Sequence, residues 1–306
     1  MHLESKWNGA QRDRLAARML DYYRSNEEYF EYVHDDSGGD RPNQEEREMY
    51  QVIAANYRKA PDEITRVLEL GCGRAQSIGA LLESIGRCKY SGVEASVAAV
   101  KAAKVEHPEY DVQNGDITNL PFSAASFDIV TLNYVLEHLP APYRVIDEIL
   151  RVLRPGGLVG MIVPVADLPW ALPRSLRYKS HDISFTAAYA ARRWLQQMKL
   201  RYHPRFFAFE LLEEPQVLVH PEAAFEYDDD LVYNGSTLEI TKYLRHKKCS
   251  IVSAVGRDIK PYIRSGRRLP VDLLRTLAFA AYRCSLFAIN KKKYTTTISV
   301  VACKMG

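Results

Sequence analysis

The stretch RVLELGCGRA, Arg66 to Ala75, decides the reading of the chain. Val67 to Leu70 is a short apolar run of the kind that forms a buried strand. It ends in Gly71-Cys72-Gly73, and a helical pattern follows from Ser77 to Ile85. Strand, glycine turn and helix make up the ligand-side corner of a doubly wound α/β sheet. Glycines at the turn let a ligand lie against bare backbone, and Glu69 sets a carboxylate beside it. A dinucleotide fingerprint would place a further glycine at position 76, where this chain has Gln76, so the turn departs from the NAD pattern.

Working outward, strand and helix patterns alternate. Tyr90 to Glu94 is a second strand, and Ser96 caps a helix over Val97 to Val105. Tyr110 to Gln113 and Asp128 to Asn133 are the third and fourth strands. A helix over Tyr143 to Leu153 is stopped by Pro155-Gly156-Gly157, and Leu158 to Val163 is the fifth strand. Apolar strands separated by helices predict a parallel sheet covered on both faces.

Five segments in this order carry a resemblance: RVLELGCGRA, YSGVEAS (90 to 96), QNGDITNLPF (113 to 122), SFDIVTLNYVLEHLP (126 to 140) and EILRVLRPGGLVGMIVP (148 to 164). As a set they resemble the class I S-adenosylmethionine (SAM) dependent methyltransferases, whose first motif is usually written VLDxGxGxG. The likeness covers about a third of the chain, Ile64 to Pro164. Glu69 stands in the acidic place, and Ala75 replaces a glycine that many members carry. The resemblance implies a Rossmann-like, seven-stranded sheet whose last strand, here Tyr294 to Cys303, runs antiparallel beside the fifth. It also implies SAM as cofactor. The VLEHLP and LRPGG segments resemble the broad subfamily whose members methylate small molecules, quinones, lipids and sugars.

The candidate cofactor residues are Glu69, Gly71, Cys72, Gly73, Glu94, Asp116, Ile117 and Asn133. Glu94 closes the second strand roughly twenty residues past the glycine turn, where an acidic ribose partner belongs. Asp116 resembles the family residue that accepts the adenine amino group, with the Ile117 backbone beside the ring. Asn133 ends the fourth strand, where the methionine part of the cofactor and the acceptor should meet. Cys72 is expected to contribute backbone and a small side chain. His138 is the catalytic candidate, orienting or deprotonating an acceptor hydroxyl, and its alternative is a histidine that holds the loop. His181-Asp182 is a weaker candidate pair. Methyl transfer needs no metal, and no metal-ligand spacing occurs.

Around this core, residues 1–60 read as a helical cap, with Tyr22 and Tyr23 candidates for a lid over the cofactor mouth. Residues 61–306 form the methyltransferase domain. Within it, 165–235 is a proline-punctuated substrate-side insertion with one helix over Ala187 to Lys199, and 257–293 is a basic, apolar helical insertion. Ser236 and Glu239 form a capping-box pattern for a helix over Leu238 to His246, followed by a sixth strand over Cys249 to Val255.

With 47% hydrophobic and 26% charged residues, the 306-residue chain can bury a sizeable core. Its net charge of +3 is unevenly spread. Phe206 to Thr241 has nine acids and no Lys or Arg, whereas Lys242 to Lys293 has fourteen Lys and Arg and two acids. Five cysteines without CxxC spacing, no signal-peptide core and no bilayer-length apolar run predict a cytoplasmic protein. The segment 264–293, with VDLLRTLAFAAYRCSLFAI (Val271 to Ile289) at its centre, is the candidate for peripheral membrane contact or a homodimer. The stretch after strand four lacks the Asn/Asp-Pro-Pro-aromatic motif, and no Pro-Cys pair occurs, so DNA is excluded as acceptor. The expected reaction is O-methylation of a glycan, lipid-linked or other small-molecule acceptor. The alternatives are a NAD-binding Rossmann enzyme, a non-catalytic SAM-binding subunit and an RNA methyltransferase using the basic tail.

Overall fold

The computed structural model describes residues 2–3, 7–27, 30, 42–58, 63–165, 183–209, 211–212, 214–222, 225, 229–258 and 295–306. His181-Asp182 and the segment 264–293 lie outside the described residues.

Seven strands form one sheet: β1 (Thr65–Leu70), β2 (Cys88–Glu94), β3 (Asp111–Asn114), β4 (Phe127–Asn133), β5 (Leu153–Pro164), β6 (Cys249–Asp258) and β7 (Thr295–Lys304). Their spatial order is β3-β2-β1-β4-β5-β7-β6. The pairs among β1 to β5 are parallel, and β7 runs antiparallel to both β5 and β6. The expected sheet and the placement of its last strand are therefore found. Residues alternate across it as a two-sided sheet requires. Val67, Ile129 and Ile162 face one layer, and Leu68, Val130 and Met161 face the other.

The first layer holds α2 (Gln44–Asn56), α3 (Gly79–Ile85) and α4 (Val97–Glu106). Asn43 caps α2 through a reciprocal box with Glu46. That helix lies directly on β5. A Cβ at Gly160 would stand 2.7 Å from Ile53 Cδ1 and 2.9 Å from Met49 Sδ, so the close approach needs glycine there. The second layer holds α5 (Pro142–Val152) and α8 (Thr237–His246), with Phe207, Phe209 and Tyr233 of the insertion packed against Tyr243 and the sheet. The insertion also carries α6 (Ile183–Tyr202) and the short α7 (Gln216–Val219). The leading helix, α1 (Gly9–Ser25), is pinned by the buried Arg12, which donates to the carbonyls of Pro140 (3.0 Å) and Phe209 (3.4 Å).

Two expectations are corrected. Pro155-Gly156-Gly157 does not separate helix from strand: α5 ends at Val152 and β5 begins at Leu153, with the triplet absorbed in an irregular register between Phe127 and Ile129. The capping box at α8 is only half formed. Ser236 Oγ accepts from Glu239 N (3.1 Å), but the Glu239 carboxylate instead accepts from Ala208 N (2.5 Å), Phe209 N (2.7 Å) and Tyr233 OH (3.1 Å). It ties the insertion to the helix because two buried N–H groups there have no strand partner.

Candidate functional site

A cleft of about 810 Å³ opens at the carboxyl ends of β1, β2 and β4, with α1 and α2 over it. The size suits a nucleoside-sized ligand together with a second molecule. Glu69, Gly71, Cys72, Gly73, Glu94, Asp116, Ile117, Asn133 and His138 all line it. The parallel sheet thus brings together every candidate site residue among the described ones.

At the glycine turn the backbone is left-handed at Gly71 (φ 66°) and Gly73 (φ 51°). A Cβ at Gly71 would also meet Val135 Cγ2 at 2.4 Å. These are the local reasons for glycine. The turn's N–H groups are held within the protein. Gly71 N and Cys72 N donate to Val93 O (2.8 and 3.4 Å), and Gly73 N donates to Glu94 Oε2 (2.9 Å). The other Glu94 oxygen accepts from Ser96 N at 2.8 Å. Backbone amides therefore hold both oxygens of the carboxylate in place. Burial pushes the Glu94 carboxyl up, opposed by the amides of Ser96 and Gly73. Glu69 accepts from Tyr90 OH at 2.8 Å. Its burial, opposed by that bond and reinforced by Glu46 and Glu94, raises its pKa to about 8. Burial, then the charges of Glu94 and Glu69, push the Cys72 thiol well up, which suits packing and disfavours a thiolate nucleophile. Asp116 turns Oδ1 onto Thr118 N (2.8 Å) and Thr118 Oγ1 (2.7 Å), shaping the loop that carries Ile117.

Two groups escaped the sequence reading. The first is Glu46 of α2. Its Oε1 accepts from Ser77 Oγ (3.0 Å) and Asn133 Nδ2 (3.3 Å), and Asn133 Nδ2 also reaches Tyr50 OH (3.1 Å). Asn133 Oδ1 is left buried without a partner. The asparagine box at Asn43 signals where α2 begins, but nothing in sequence says that its first turn faces the cleft. The second is Asp230, far along the insertion. Its Oδ2 accepts from Tyr23 OH (2.9 Å) and lies 3.1 Å from His138 Nδ1. His138 Nε2 stands 3.8 Å from Glu137 Oε1. Burial pulls the imidazole pKa down, but the charge and hydrogen bond of Asp230, with Glu137, reverse this and raise it to about 10. Asp230 remains ionised: burial raises its pKa, and His138 and Tyr23 more than offset the rise.

The donor set discriminates between ligands. A pyrophosphate needs free N–H groups at the turn, and here those of Gly71 to Gly73 are engaged and flanked by Glu69 and Glu94. Carboxylates and an unpartnered amide oxygen instead suit hydroxyls and cations. SAM offers a ribose diol, an ammonium and a sulfonium, so the residues present fit it.

Comparison with known proteins agrees. A family model described as a methyltransferase domain matches residues 68–161. Phthiotriol/phenolphthiotriol dimycocerosates methyltransferase of Mycobacterium tuberculosis is 35% identical over 132 residues, covering 42% of this chain and 46% of that protein. Its counterpart, methyltransferase 1 of Mycobacterium ulcerans, is 33% identical over 120 residues, covering 39% and 43%. The chain thus spans less than half the length of the curated relatives it matches. One chain of a solved complex of the Haloferax volcanii Trm112 methyltransferase activator shares the fold, with a TM-score of 0.50 at 13% identity, over 94% of this chain and 98% of that one. The match to a methyltransferase domain thus falls on residues 68–161, within the seven-stranded sheet whose strand order the sequence implied.

Proposed function

We propose that the protein transfers a methyl group from SAM to an oxygen of an apolar, lipid-type small molecule. The observation that carries this reading is a cleft lined both by the anchored Glu94 carboxylate and by the apolar Met19, Leu20 and Phe30, with His138 in the same lining. Apolar walls with few convergent polar groups favour a hydrocarbon-bearing acceptor. The lipid names of the mycobacterial relatives point the same way.

When bound, SAM supplies a methyl group on a positive sulfonium, which leaves as a neutral thioether. Glu94 would hold the ribose hydroxyls, and Asn133, at the end of β4, would border the methionine part. The roof of α1 and α2 keeps water from the reacting atoms. His138 holds its proton at neutral pH beside Asp230, so its role is to orient the acceptor oxygen by hydrogen bonding rather than to take its proton, and the hydroxyl proton is released to solvent with the methylated product.

Isothermal titration should give SAM binding and no NADH binding, and the reverse would end the reading. Incubation with isotope-labelled SAM and a total lipid extract should place label in the lipid fraction. SAM binding without transfer to lipid, glycan or RNA fractions would instead make the chain a non-catalytic subunit. Replacing Glu94 with Ala should weaken SAM binding at least about tenfold. Because this carboxylate also braces Gly73 and Ser96, the variant should lose some stability as well, about 1.5–3 kcal/mol per charged hydrogen bond.

A further inference from the structure

Helix α6 mixes polar and apolar groups on both of its faces, with Tyr189 and Leu200 buried on the same side as two polar residues. A surface helix normally buries its apolar stripe and turns charge to water. Here Arg193 and Gln196 are turned inward, 2% and 8% exposed and joined by a 2.8 Å bond from Arg193 Nη1 to Gln196 Oε1. Trp194 (43%), Leu195 (54%) and Tyr202 (63%) are turned outward. At helical spacing these three fall within an arc of about 100°. Arg192 and Lys199 border one side of the arc and Arg201 the other, and no acid occurs from Ile183 to Tyr202. Two of these cations place their charged groups over rings: Lys199 Nζ is 5.5 Å from the Phe206 centroid, and Arg201 Cζ is 5.8 Å from that of Tyr202.

We propose that the outer face of α6 docks on the surface of an anionic phospholipid bilayer. An apolar stripe of Trp, Leu and Tyr between rows of Arg and Lys matches a helix lying in the headgroup region. Indole and phenol rings favour that depth. Each cation near anionic lipid adds roughly 1 kcal/mol of attraction. Of the acids that follow in sequence, Asp230 and Glu239 are buried, and Glu214 pairs with Arg18. Three protruding apolar side chains are too few for a stable protein interface of about 800 Å² per partner, but enough to seat a helix in lipid. Among the described residues no helix is long and apolar enough to cross a membrane, so α6 would lie on the bilayer.

The docked face also connects to the cleft. Tyr189, on the inner side of α6, packs with Leu212 and Leu231 and accepts a 2.7 Å bond from Asn234 Nδ2. The neighbouring Asp230 is the residue that holds His138. The surface itself does not depend on the acceptor reading.

Vesicle flotation of the full chain tests the proposal, using phosphatidylcholine alone and phosphatidylcholine with phosphatidylglycerol. The wild type should float with the anionic vesicles, much less with the neutral ones, and detach in high salt. The variant carrying Trp194→Ser, Leu195→Ser and Tyr202→Ser should bind anionic vesicles at least about tenfold more weakly, with unchanged SAM affinity and melting temperature. Three outcomes would overturn the proposal: no flotation of the wild type, equal flotation of the variant, or a wild-type dimer that the variant turns into monomer. Failure of lipid methylation with flotation intact would remove the acceptor reading and leave this one standing.

Discussion

At the scale of single residues, two positions in the first motif show how burial and backbone geometry set properties that composition hides. Ala75 has φ 57°, in the left-handed region that favours glycine. The strain costs about 1–2 kcal/mol. Replacement by glycine would relieve it but would also release about 0.4–1 kcal/mol of unfolded-chain entropy and remove a buried methyl worth about 0.8 kcal/mol. These nearly cancel, so Ala75→Gly should alter stability by less than about 1 kcal/mol in denaturant titration. Glu69 is different. Its folded pKa of about 8 lies above the unfolded value, so the folded state binds the extra proton between the two. Its contribution is therefore most favourable at low pH and declines as pH rises, fully so above about 8. Glu69→Gln keeps a partner for Tyr90 and cannot ionise. The variant should gain on the wild type from about pH 4.5 to about pH 8 and keep that gain above it in paired unfolding curves, and a constant difference would show that Glu69 ionises normally.

At the scale of elements, the lid over the cleft is α1, and a buried cation ties it to two other segments. Arg12 is 3% exposed and reaches carbonyls on both the loop after β4 and the insertion. Burial lowers its pKa, but the guanidinium stays charged. Arg12→Ala would leave two buried carbonyls unpaired, at about 1–3 kcal/mol each. Hydrogen exchange should then rise across Gly9–Ser25 more than across β1 or β4, and SAM affinity should fall because Met19 and Tyr23 no longer close the cleft. Uniform protection would mean that α1 is held by its apolar face alone.

For the whole molecule, the acceptor end depends on three distant segments meeting. Tyr23 comes from the leading helix, His138 from the turn after β4 and Asp230 from the insertion. The pair stabilises the fold fully below the unfolded histidine pKa, and this is lost as pH rises toward about 10. Replacing Asp230 with Asn leaves Glu137 and the Tyr23 hydroxyl facing the imidazole, without the main countercharge. Titration of His138 should then move down toward neutrality, visible in its ring proton shifts by NMR. Stability at neutral pH should fall by about 3–5 kcal/mol, as for removal of one partner from a buried pair. An unshifted titration would make Glu137 the controlling charge.

The sequence alone determined the sheet and the cofactor end of the cleft. In a parallel sheet each strand is a short apolar run and each ligand residue sits at its carboxyl end, so Gly71, Glu94, Asp116 and Asn133 are local signals a few residues from the strands that place them. What only the tertiary structure decided are contacts across long separations. Glu46 meets Asn133 from 87 residues away, Asp230 meets His138 from 92, and Glu239 leaves its own cap for Ala208 and Phe209. The outward aromatic stripe of α6 belongs here too, since periodicity shows that a helix has two faces but not which of them the rest of the chain will cover. A buried polar group must find a partner wherever the fold supplies one, and that demand leaves no spacing rule in the chain.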